Sequence, residues 1–290
     1  MYVDFLAETL IFMRHPESLL NRLSDLAKQG DTGWLELFKP VQVSIPEHDR
    51  VLDERLLRNI QNTDYGKLPH GPLDSRLTPL TTTTTKSRKQ YAGTINGKKQ
   101  AKKTGKWLRE HFPRCDHVYD SGFKRVKEGL RLMGYTDSIT DERLAEYDHG
   151  DWEFLSQAER LALATSNEAF SGYITDPYHF APPNGHSFAY DEHELVIPFL
   201  KDIAKVDAKI ILCGTHGIKL QLIRKLFEHQ TEEEFLRDNN DKAKRFENCE
   251  LLIYTRRSPK SQRLYKKMRY VRRVLPWKME STTEWRLIIT

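Results

Sequence analysis

Three short stretches of the chain end in side chains suited to holding a negatively charged group. Arg14-His15-Pro16-Glu17-Ser18 closes one apolar run, Asp120-Ser121-Gly122-Phe123-Lys124-Arg125 follows a second, and Thr215-His216-Gly217 follows a third. Arg presents a planar fork of donors that matches a tetrahedral oxyanion, and imidazole offers either a donor or a nucleophilic nitrogen. Brought together, Arg14, His15, Arg125 and His216 would make a pocket for a tetrahedral dianion. Each residue alone has an ordinary reading, since a strand-end His is usually hydrogen-bonded structure and a lone Arg a surface charge. The joint occurrence carries the inference.

Convergence requires a scaffold that places three strand ends side by side. Apolar, β-branched segments at Thr9–Met13, His117–Tyr119, Lys209–Cys213, Glu250–Tyr254 and Glu284–Ile289 read as buried strands. Helical apolar spacing covers Gly97 to Phe112, Lys124 to Met133 and Gly217 to Phe227. Strands alternating with helices predict an α/β three-layer sandwich around a mostly parallel sheet, whose ligand sites lie beyond the carboxyl ends of the strands. Residues 22–73, with a helix expected at Leu52 to Ile60, and residues 81–95, which open on five threonines, interrupt this alternation and read as insertions. The chain is expected to form a single domain over 1–290.

The 46 Lys/Arg and 41 Asp/Glu give a net charge of +5, but ten of the cations and no acid fall within 255–279, so the rest of the chain carries −5. In that segment Tyr265, Tyr270 and Trp277 are interleaved with the cations. Two readings stay open: a hairpin or helix whose aromatics pack on the domain, or a track for nucleic acid or another polyanion. No run of about 18 apolar residues is present and the N-terminus lacks the features of a secretory signal, so a soluble, cytoplasmic protein without a membrane span is expected. The three cysteines, Cys115, Cys213 and Cys249, are odd in number and widely spaced, which suggests buried thiols and neither a disulfide framework nor a zinc site.

Taken in order, the motifs resemble the histidine phosphatase superfamily, in its phosphoglycerate mutase-like branch. Arg14-His15-Pro16-Glu17 with Asn21 resembles the family's nucleophile motif, Arg-His-Gly-Glu with a downstream Asn. Leu77-Thr78 and Gly97-Lys-Lys-Gln100-Ala101 are similar to its Leu-Thr and Gly-x-x-Gln-Ala signature, and Ser121 to Arg125 to its Ser-Pro-Leu-x-Arg. Leu144-Ala-Glu146-Tyr-Asp-His-Gly150-Asp-Trp152-Glu153 resembles Leu-x-Glu-x-x-x-Gly-x-Trp-Glu, while Pro183-Asn-Gly185-His186-Ser187 and Thr215-His216-Gly217 are similar to the late Gly-Gly-Glu-Ser and Ser-His-Gly blocks.

The resemblance implies a phosphohistidine mechanism. His15 would be the nucleophile and Glu146 the general acid and then base, its proton favoured by the negative charge of bound phosphate. Arg14, Arg125 and His216 would bind the phosphoryl oxygens, with Asn21, Glu17 and Thr215 as further substrate-side or supporting residues. No metal and no cofactor is required. The substrate would be a phosphorylated small molecule or phosphoprotein. Hydrolysis is the reading carried forward; transfer between sugar phosphates, or polyanion binding on a relict phosphatase fold, are the alternatives. Pro16 in place of Gly removes a backbone donor beside the nucleophile, and His186 stands where the family has Glu.

Overall fold

The computed structural model describes residues 4–18, 21, 95–152, 157–278 and 283–288. The expected insertion at 22–73 with its helix, the pair Leu77-Thr78 and the threonine tract lie outside the described residues, as does the 81–95 stretch apart from its last residue. Strands β1 (Thr9–Arg14), β2 (His117–Asp120), β3 (Ile139–Thr140), β4 (Ile210–Thr215), β5 (Leu251–Thr255), β6 (Tyr270–Val274) and β7 (Arg286–Leu287) form one sheet in the order β3-β2-β4-β1-β5-β6-β7. The half carrying β3, β2, β4 and β1 is parallel, as the alternation of strand and helix predicts, and β5, β6 and β7 extend it antiparallel.

Helices α1 (Ile95–His111) and α2 (Lys124–Met133) cover one face of the sheet, and α4 (Ile197–Ala204) and α5 (Gly217–Phe227) cover the other. Between these pairs the chain also forms α3 (Gln157–Ser166), and α6 (Glu232–Asn240) follows α5. Successive residues of β1 point to opposite faces, so Leu10 and Phe12 join the core under α4 and α5 while Ile11 and Met13 join the core under α1 and α2. Burial on both faces explains why β1 and β4 read as unbroken apolar runs.

Two strands, and the helices α3, α4 and α6, were not read from the sequence. Strand β3 has only two residues, both exposed, and offers no periodicity. Strand β6 lies inside the basic segment, where Val271 and Val274 face the core between arginines. Arg257 grips Glu8 with two bonds of 2.5 and 2.6 Å, Arg273 pairs with Glu250 at 2.6 Å, Lys278 pairs with Glu247 at 2.5 Å, and Arg256 donates to the carbonyls of Leu6, Ala7 and Tyr265. These are the contacts of a packed hairpin, and a nucleic-acid or polyanion track gains no support from them. Among the described residues no helix is long and apolar enough to cross a membrane.

Candidate active site

The parallel register of β1 and β4 pairs Arg14 with Thr215. His15 and His216, each one residue further on, therefore leave the sheet at the same level. The His15 backbone N–H donates to the Thr215 carbonyl at 3.0 Å, and the two imidazole centroids stand 5.0 Å apart. On the other side of β4, β2 pairs Asp120 with Gly214, which delivers Ser121 and the start of α2 to the same end of the sheet.

His15 is 2% exposed, and its Nδ1 lies 2.7 Å from the Pro16 carbonyl oxygen. A carbonyl only accepts, so Nδ1 carries the proton and Nε2 keeps its lone pair. Burial, followed by the charges of Arg125 and Arg14, holds His15 well below the ordinary imidazole range, against the opposing pull of the Pro16 carbonyl. The ring is therefore neutral at pH 7.

His216 is fully buried and also held well below the ordinary range, first by burial and then by Arg125. Arg125 Nη2 donates to His216 Nδ1 at 3.1 Å. Arginine has no acceptor, so the His216 proton sits on Nε2, 2.9 Å from Ser121 Oγ. Phe123 sets its ring edge-on to His216 at 4.5 Å and lies under the Arg125 guanidinium at 4.6 Å, fixing both. The Glu146 carboxylate completes the group with Oε2 3.5 Å from His216 Nδ1, its side chain about a quarter exposed. Ligand-type atoms of His15, Glu146 and His216 all lie within 4.8 Å of one another.

The remaining expected residues are tied to the loops that carry this group. Arg14 borders the cavity beside Glu146 and donates through Nη1 to the Phe246 carbonyl. Thr215 Oγ1 donates to the Leu144 carbonyl at 2.8 Å, pinning the loop two residues before Glu146. Asn21 Oδ1 accepts from the N–H and the hydroxyl of Ser18, and Glu17 accepts from Asn96 of α1 at 3.3 Å. Helix α1 can come this close because residue 97 is glycine: a Cβ there would stand 2.1 Å from the Glu17 carbonyl oxygen.

Residues 87–257, more than half of the chain, match the Histidine phosphatase superfamily (branch 1). This chain belongs to that superfamily. The match begins downstream of His15, so it is the sheet, through the pairing of β1 with β4, that brings the N-terminal Arg14-His15 to the matched residues of this histidine phosphatase. A search among curated protein sequences found no match.

Solved structures share the fold at low identity. A candidate alpha-ribazole-5'-P phosphatase from Escherichia coli str. K-12 substr. MG1655 superposes with a TM-score of 0.53 at 18% identity, covering 90% of this chain and 97% of the other. The alpha-ribazole phosphatase of Shigella flexneri gives 0.51 at 17%, covering 89% and 96%. A mycobacterial glucosyl-3-phosphoglycerate phosphatase in complex with VO3 gives 0.50 at 14%, covering 97% of each chain.

Several residues around this histidine phosphatase's site make contacts that sequence reasoning did not assign to them. Ser121 and Phe123 stood inside a recognised block without an assigned role. Asn248 carried no signal: it lies just before β5, and only the fold shows its Nδ2 donating to the His15 carbonyl at 3.0 Å and to Asn21 Oδ1 at 3.2 Å. Trp277, from the basic segment, donates its indole N–H to the Asn248 carbonyl at 2.7 Å. His186, at the family's Glu position, shares the buried Asp191 with Lys219, at 3.0 and 2.7 Å.

Proposed function

We propose that this histidine phosphatase hydrolyses phosphate monoesters through a phosphohistidine on His15. The observation that carries the reading is the state of His15: neutral, its Nδ1–H engaged by the Pro16 carbonyl, and Nε2 left as a nucleophile among Arg14, Arg125, His216 and Glu146. Nε2 attacks phosphorus in line, the bond to the leaving oxygen breaks, and Glu146 gives that oxygen its proton. The resulting imidazolium is steadied by the Pro16 carbonyl. Arg14, Arg125 and His216 hold the equatorial oxygens, a dianion drawing a proton onto His216. Glu146 then takes a proton from water, water attacks phosphorus, the P–N bond breaks, and phosphate leaves. Thr215, Glu17 and Asn21 serve as positioning residues.

Two features favour hydrolysis by this route. Glu146 is partly exposed on an open cavity, so water reaches the carboxylate that would activate it. By residue type, His15, Glu146 and His216 would also suit a divalent cation, but the guanidinium donating to His216 Nδ1 and the charge of Arg14 disfavour a cation and favour a dianion. The test is phosphate release from p-nitrophenyl phosphate with a chelator present. The parent protein should turn it over and His15→Ala should not; equal activity in both would refute the proposal.

A further inference from the structure

A cavity of about 760 Å3 opens beside Arg14 and Glu146. Pockets of about 300–1,000 Å3 hold whole drug-sized ligands, so a phosphoryl group fills only a corner of this one. Much of the rest is bounded by aromatic rings. Trp152 packs against Tyr173 and Phe180 at centroid distances of 5.3 and 5.1 Å, and Tyr147 against Phe188 at 4.7 Å. Rings locked together in this way form a rigid apolar wall, which suits a flat body and would stand against water if the leaving group were a short polyol.

Gln221 of α5 gives a second, independent indication. It lines the same cavity, is 2% exposed, and donates through Nε2 to the Lys244 carbonyl at 3.2 Å. Its Oε1 is buried with no hydrogen-bond partner among the described residues. A desolvated amide oxygen without a donor is costly, and such a group in a ligand cavity calls for an N–H or O–H on what binds there. Asn239 and Asn240, at the end of α6, bring further amides to this cavity.

Wall and acceptor together select a ligand class. A sugar phosphate has donors but no aromatic face, and a simple aryl phosphate has a face but no donor. We infer that the cavity recognises nucleoside monophosphates, the base lying along the aromatic wall and Gln221 Oε1 accepting from an N–H of the base. This rests on the reading of the site as a phosphomonoesterase.

Binding is measured by calorimetry in the His15→Ala protein, so that no ligand is turned over, using adenosine 5'-monophosphate, ribose 5-phosphate and phenyl phosphate. The nucleotide should bind about 30-fold tighter than ribose 5-phosphate, the increment expected of a stacked base, and about tenfold tighter than phenyl phosphate, which has the face but leaves Gln221 Oε1 without a donor. Adding Gln221→Leu should narrow the ratio of nucleotide to ribose 5-phosphate affinity about tenfold, the consequence of removing a buried acceptor that meets a ligand donor. Tyr173→Ala, a change in the wall, should narrow it as well and covers the case in which Gln221→Leu fails to fold. Equal affinity for nucleotide and ribose 5-phosphate, or a ratio unmoved by both substitutions, overturns the assignment. Hydrolysis of p-nitrophenyl phosphate by the parent protein separates the two readings. Hydrolysis that depends on His15, without nucleotide preference, removes the cavity assignment alone; nucleotide preference without any hydrolysis removes the phosphatase reading alone.

Discussion

Asn248 holds His15 by its main chain: Asn248 Nδ2 donates to the His15 carbonyl oxygen at 3.0 Å, while the Asn248 carbonyl accepts the Trp277 indole N–H at 2.7 Å. The next residue, Cys249, turns its own N–H to the Arg14 carbonyl at 3.1 Å and does so with φ of 57°, a left-handed conformation that non-glycine residues adopt only when their surroundings hold them there. The Arg14-His15 segment is thus clamped from the turn before β5 and from the hairpin beyond it. Asn248→Ala should lower kcat about tenfold by loosening His15, and Trp277→Phe should lower it less. Because the two act through one chain of bonds, the double variant should lose less than the product of the single losses, which a steady-state double-mutant cycle reads directly.

Pro16, beside His15, is accommodated by a glycine. A Cβ on Gly129 of α2 would stand 2.6 Å from Pro16 Cδ and 2.7 Å from Pro16 Cγ. Gly129→Ala should therefore displace the loop that carries His15, costing about 1–3 kcal/mol of stability and about 10- to 100-fold in kcat. Gly129→Ala combined with Pro16→Gly should recover most of the stability. Denaturant melts and kinetics on the three variants check this.

Glu146 is assigned the proton of the leaving oxygen, and that role makes its effect depend on the substrate. Alkoxide leaving groups need the proton, whereas p-nitrophenolate departs without it. Glu146→Gln should reduce turnover of an alkyl phosphate about 100- to 10,000-fold and that of p-nitrophenyl phosphate much less. Equal losses on both substrates would remove Glu146 from this step.

The two buried imidazoles set a pH dependence of stability. Both are held well below the ordinary value of 6.5, by burial first and then by neighbouring cations. Above pH 6.5 folded and unfolded chains bind the same protons at these sites. As pH falls below 6.5 the unfolded chain gains protons that the folded one refuses, so stability is lost toward acid, by at most about 1.4 kcal/mol per pH unit for each group. Thermal melts from pH 7 to 5 should show a falling Tm, and His15→Asn should make that fall shallower.

How much of this was legible in the sequence differs from element to element. Helices α2 and α5 were readable to the residue because each has a strong apolar stripe directly after a strand end, and Arg14, His15, Arg125 and His216 stood at those ends. Strand β6 was obscured because Val271 and Val274 are separated by two arginines that serve the fold by gripping an acid and carbonyls elsewhere. The contacts of Asn248, Trp277 and Gln221 were hidden for another reason. Their roles arise from backbone carbonyls and a cavity that exist only once distant segments are packed together, and no spacing rule encodes such contacts.

A covalent phosphoryl group on His15, as proposed, is tested most directly by mass spectrometry of the protein quenched during turnover of a phosphomonoester. A mass increase of one phosphoryl group, mapped to His15, labile in acid and absent from His15→Ala, is the predicted result. Full turnover with no phosphoryl group trapped on His15, or with activity kept in His15→Ala, would contradict the account.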